Sequence, residues 1–126
     1  MQGNLAMTMK DWTGYRKELG LAVGKLGELN PEMMQAYRAL AKAGKQTGNL
    51  GEKVRELIAL GVAVSTRCDG CIAVHTAGAR KAGATDGEIA EALGVAIAVN
   101  AGAALVYSAR VIEAADLPAP QAKAAP

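Results

Sequence analysis

"ALGVAIAVNAGAALVY", Ala92 to Tyr107, is the longest apolar stretch of the chain, and the fold turns on what it is. It runs for 16 residues, is interrupted by Asn100 and contains Gly94 and Gly102. A membrane-crossing helix needs about 20 predominantly apolar residues. The stretch is therefore read as a buried helix pair in an all-α domain, with a break or kink over Asn100 to Gly102 and a last helix to about Ala115. Just before it, "TDGE" (Thr85 to Glu88) is a capping-box pattern, which marks the helix start.

Helical signals recur toward the N-terminus. Cys68 or Asp69 opens a helix that ends near Gly83, where "RKAG" supplies a basic last turn and a glycine stop. Glu52 to Thr66 starts charged and then turns uniformly apolar, "LIALGVAV". A helix apolar all round is expected to be buried on all sides, within the protomer or between subunits. In "NPEMMQAYRALAKAG", Asn30 is the N-cap, Pro31 takes the first helical position, and Met33, Met34, Tyr37 and Leu40 form the apolar stripe. A first helix covers about Asp11 to Leu29, with Trp12, Tyr15, Leu19, Val23 and Leu26 at helical spacing and four glycines that leave room for a break. No run alternates β-branched and polar residues between hairpin signals. The expectation is one all-α domain of five or six helices over residues 1–117, followed by a disordered Pro/Ala-rich tail over residues 118–126.

Composition narrows the function classes. Of the 126 residues 51% are hydrophobic, yet there is no Phe, one Trp and three Tyr. Small side chains let helices approach closely but bury little apolar area each. Such a protomer gains from burial between subunits, so an oligomer is expected. The net charge of +2 is spread over interspersed acids and bases, without the basic stripe that a nucleic-acid binder needs. "MQGNLAMTMK" has no basic segment followed by an apolar one, which points to a cytoplasmic protein without membrane attachment.

The chemistry concentrates in "CDGCIAVH", Cys68 to His75, which holds both cysteines and the single histidine. On a helix, Cys71 and His75 share one face, and Cys68 lies one turn earlier near the same face. The positive end of the helix favours a thiolate there, and an adjacent imidazole takes the thiol proton. Cys71 is then the activated thiol and Cys68 the resolving partner, although CxxC pairs often expose the first cysteine to an external disulfide. In a chain that is not exported, a disulfide here is transient and catalytic rather than a static staple.

A buried catalytic histidine leans on a carboxylate, and Glu56 is the candidate. About 15 Å of helix separates Glu56 from Thr66 at ~1.5 Å per residue, and a helix turning back from Arg67 carries His75 about 9 Å down from Asp69. Glu56 therefore comes within side-chain or one-water reach of His75, which gives the order Glu56, His75, Cys71, Cys68. Asp69 and Arg67 are read as solvated or capping groups.

This pattern, E-x11-C-x-x-C-x-x-x-H, resembles the alkylhydroperoxidase AhpD-like branch of the carboxymuconolactone decarboxylase family, and the likeness covers about residues 50–117. The resemblance implies an all-α fold and assembly into trimers or hexamers. It also implies a thiol-dependent peroxidase in which the second cysteine, Cys71, attacks a hydroperoxide and the first, Cys68, resolves the product. His75 and Glu56 act as the proton relay, a lipoyl-type or related dithiol recharges the pair, and no cofactor is required. One position departs from the best-known AhpD proteins, which carry a second histidine just before the second cysteine. Here that position is Gly70. Two other readings use the same residues: a zinc-holding or non-catalytic oligomeric scaffold, and a decarboxylase or lactone-type enzyme of the same fold with Glu56 and His75 as base and acid.

Overall fold

The computed structural model describes residues 9–121. Among these it contains five helices and no strand: α1 (Trp12–Leu29), α2 (Pro31–Ala43), α3 (Glu52–Thr66), α4 (Asp69–Lys81) and α5 (Asp86–Ala115). The tail expected over residues 118–126 lies outside the described residues from 122 onward, as do residues 1–8 of the N-terminal segment.

The centre of the fold is a helical hairpin of α3 and α4, with α5 against α3 and α1 against α4. Arg67 makes the turn between α3 and α4 in the left-handed region, at φ 54°. Its N–H and that of Cys68 both reach the Ala63 carbonyl, which closes the last turn of α3. The core is small: Leu60 of α3, Ala79 of α4 and Ala84 of the following turn pack together, with Leu57 and Ile89 at their edge. Ala79 is 0% exposed, so α3 and α4 approach across a methyl group rather than a large side chain.

The expected start of α5 is present in full. Thr85 Oγ1 accepts from the Glu88 N–H at 3.1 Å, and the Glu88 carboxylate accepts from the Thr85 N–H at 2.9 Å. The same carboxylate accepts from Lys53 Nζ at 2.8 Å, which ties the start of α5 to the first turn of α3. Arg80 donates to the Ala84 carbonyl and pairs with Asp86, bracing the link from α4.

Two expectations about the last helix need correction. The break over Asn100 to Gly102 does not occur, and α5 is one 30-residue helix. Asn100 is held inside the helix by its own amide, which donates to the Ala96 carbonyl at 2.8 Å and to Ser65 Oγ on α3 at 2.7 Å. An asparagine that finds such partners has no reason to end the helix. Within the protomer the outer flank of α3 is open, with Val54, Ile58 and Val62 exposed, so the expected burial on all sides requires a contact between subunits there. Helix α5 is long and apolar enough to cross a membrane by length and composition, and little of its apolar window is buried within the protomer. It is therefore one helix with a free apolar side, not a buried pair. The glycines of α1 do not break that helix either.

Removing the Thr85 hydroxyl leaves the Glu88 N–H without its cap, so Thr85→Ala is expected to destabilise the fold by about 1 kcal/mol, read from urea denaturation. The Glu88 carboxyl is held below its ordinary value by Lys53 first and then by the Thr85 N–H. That stabilisation is complete above the unfolded-state value and is lost as pH falls through the folded one. Lys53→Met should therefore shallow the loss of stability on acidification, which thermal melts between pH 6 and pH 3 would follow.

Candidate functional site

Cys68 is the residue that begins α4. Its backbone is extended and its Sγ accepts from the Cys71 N–H at 3.1 Å, so a sulfur stands where a serine or aspartate oxygen usually caps a helix. Cys68 and Cys71 are joined as a disulfide across a Cα–Cα distance of 5.2 Å. Both sulfurs thus sit in the first turn of a helix, where unpaired N–H groups and the helix dipole favour negative charge.

Asp69 in the same turn works against that field. Lys10 offsets it, donating to the Asp69 carboxylate at 2.8 Å while lying 3.8 Å from the centre of the Tyr15 ring. The Lys10 ammonium is raised above its ordinary value, chiefly by this hydrogen bond to Asp69. Asp69, expected to be solvated, is about half exposed and held by Lys10. Arg67 is the capping group at the end of α3.

One turn below the disulfide, His75 Nδ1 lies 2.8 Å from Glu56 Oε2. Glu56 reaches across from α3 directly, without an intervening water. Its side chain is only 15% exposed, against 36% for His75, so the carboxylate is sheltered and the imidazole opens to the site. An ionised carboxylate only accepts, so a hydrogen bond to carboxylate Glu56 requires the proton on His75 Nδ1 and leaves Nε2 of the neutral ring as an acceptor. Side chains on a helix lean toward its N-terminus, which sets the His75 ring over the turn that bears Cys71. No hydrogen bond joins Cys71 to His75 while Cys71 is bonded to Cys68. The pairing of Glu56 with His75 and of Cys68 with Cys71 is the arrangement expected from the spacing. Among the described residues no group of three or more His, Cys, Asp or Glu side chains is arranged to hold a metal ion.

Two glycines shape this site in ways the sequence did not reveal. A Cβ on Gly78 would lie 2.7 Å from Glu56 Cδ and under 3 Å from both carboxylate oxygens. Glu56 therefore rests directly on the α4 backbone, one turn past His75. A Cβ on Gly70 would lie 2.8 Å from Leu19 Cδ2 of α1. Leu19 fills the space above the CxxC turn, so a side chain at position 70 requires Leu19 to move. The sequence marked Gly70 only as a departure from the AhpD pattern and Gly78 only as a glycine within a helix, where it lowers helix propensity.

Known proteins agree with this architecture. The model of the carboxymuconolactone decarboxylase family matches residues 31–114. The chain is 50% identical over 104 residues to an uncharacterised protein of Haemophilus influenzae, covering 82% of this chain and 92% of that protein. It superposes with a TM-score of 0.67 and 35% identity on a carboxymuconolactone decarboxylase family protein from Legionella pneumophila, solved in its apo form, with 82% of this chain and 92% of that one covered. A protein from Methanobacterium thermoautotrophicum gives a TM-score of 0.65 at 32% identity, over 71% of this chain and 97% of its own.

Gly78→Ala pushes against the Glu56 carboxylate and should lengthen its contact with His75 while leaving the helices intact. His75 is the single histidine, so its Nδ1–H proton resonance is unambiguous. That resonance is expected to move upfield or vanish by exchange in Gly78→Ala, with unchanged circular dichroism.

Proposed function

The chain belongs to the carboxymuconolactone decarboxylase family, which includes AhpD-like proteins, and we propose that it is a thiol-dependent peroxidase and disulfide oxidoreductase. The observation that carries this reading is the Glu56–His75 pair set one turn below the Cys68–Cys71 disulfide. It is the nucleophile, base and orienter order on two packed helices.

In the reduced protein His75 Nε2 takes the proton of the Cys71 thiol, and Glu56 steadies the imidazolium that forms. The Cys71 thiolate attacks the outer oxygen of a hydroperoxide. The O–O bond breaks, the leaving alkoxide takes the proton from His75, and Cys71 becomes a sulfenic acid. Cys68 then gives its thiol proton to the neutral His75, its thiolate attacks the Cys71 sulfur, and the expelled hydroxide takes that proton and leaves as water. The product is the disulfide. An external dithiol of lipoyl type supplies two electrons and two protons to regenerate both thiols and is itself oxidised to a disulfide.

One observation favours thiol–disulfide exchange as a second activity of the same pair. Cys68 Sγ caps the helix through the Cys71 N–H, and that position stabilises a Cys68 thiolate once the disulfide opens. Cys68 is then the better leaving group when a dithiol attacks Cys71. The exposed apolar faces of α3 and α5 support self-association into a homo-oligomer.

Cys71→Ser is expected to abolish hydroperoxide turnover. Cys68→Ser should stop after one equivalent and leave a sulfenic acid on Cys71 that dimedone traps, visible as a mass increase. His75→Ala should lower the rate by about 10²-fold or more. Wild-type turnover in both cysteine variants would overturn the peroxidase reading.

A further inference from the structure

We infer that the groove between α3 and α5 is filled by helix α2 of a second copy of this chain. The inference deepens the self-association named above and does not depend on the redox chemistry.

Surface area is the first argument. A compact monomer of 12.9 kDa exposes roughly 6,300 Å². This protomer exposes 10606 Å². Even after allowing about 1,900 Å² for the 13 residues outside 9–121 as extended chain, the difference exceeds the roughly 800 Å² that each partner buries in a standard interface.

One continuous apolar feature lies between α3 and α5. Gly61, Ala92 and Ala96 form the floor of an open apolar groove, and Val62, Val95 and Val99 are among its walls. A floor of glycine and alanine allows another helix to approach closely, and the valines offer ridges for it to pack between. From Val54 to Ser65 the groove follows α3 for about 16 Å.

The same chain carries a helix of matching length and character that lacks a second partner. Helix α2 has 13 residues, about 20 Å, and packs on α1 alone. Met34 on one edge is buried and meets Gly27 of α1. Met33, Tyr37 and Leu40 form a separate stripe at helical spacing and stay exposed. Glu32, Gln35, Arg38 and Lys42 lie outside that stripe, so it is narrow, as suits a helix seated in a surface groove. The protomer's own α2 does not touch α3 or α5. Each copy therefore offers one helix and one empty groove. Reciprocal exchange gives a closed dimer, and cyclic exchange gives a closed ring.

Sedimentation of the full chain tests this with Val95→Glu in the groove and Leu40→Glu on α2. Both positions are well exposed in the protomer, at 60% and 72%, so neither substitution burdens folding, and circular dichroism checks that. The wild type is expected to sediment as an assembly, and each variant to dissociate about 30-fold or more readily. Mixing the two variants should restore a heterodimer, because the Leu40→Glu copy keeps its groove and the Val95→Glu copy keeps its α2. A monomeric wild type overturns both this inference and the self-association it rests on. An assembly that survives both substitutions overturns the inference alone. Dissociation by Val95→Glu but not by Leu40→Glu also overturns it, because the groove would then hold another segment, such as the C-terminal half of α5.

Discussion

The close approach of α3 and α4 is the constraint on which the site depends. Ala63 and Ala79 are almost wholly buried between packed elements, and Arg67 turns the chain so tightly that α4 runs back along α3 at once. Because these residues are small, a glutamate on one helix reaches a histidine on the other without a bridge. The two glycines beside the pair extend the same logic. Gly78 gives the carboxylate a place against the α4 backbone, and Gly70 lets Leu19 of α1 close over the cysteine turn. Larger residues at these positions would hold the helices or the side chains apart.

The protomer accordingly has a well-ordered centre and an unfinished exterior. Its few fully buried residues are mostly alanines, whereas valine, isoleucine and leucine along α3 and α5 remain exposed. A core built from small side chains fixes geometry closely but contributes little hydrophobic stabilisation. The larger apolar residues face outward. The close packing around the Glu56–His75 pair and the larger apolar side chains thus lie on different sides of the same helices.

Much of the site was legible because helical spacing is rigid. Cys71 and His75 are four residues apart, and that separation places them on one face in any helix. Contact between Glu56 and His75 could be anticipated because after a tight turn the run down one helix offsets the run up the other. Gly70 and Gly78 were not legible as site-shaping residues, since their effect depends on which side chain of another helix lies above them. The break expected at Asn100 failed for a related reason. Its amide is satisfied by Ala96 and by Ser65 on a neighbouring helix, and local propensity does not contain that partner.

The sequence by itself determined the helical class, the starts of α2 and α5, and the pairing of a CxxC turn with one imidazole. Each of these depends on contacts within a few residues, which spacing and capping chemistry dictate. Tertiary structure alone decided that α5 runs unbroken, that Lys10 offsets Asp69 beside the disulfide, and that α1 covers the cysteine turn. It also decided that one flank of α3 stays open. These features depend on contacts between segments distant in the chain, and those contacts exist only once the helices have packed.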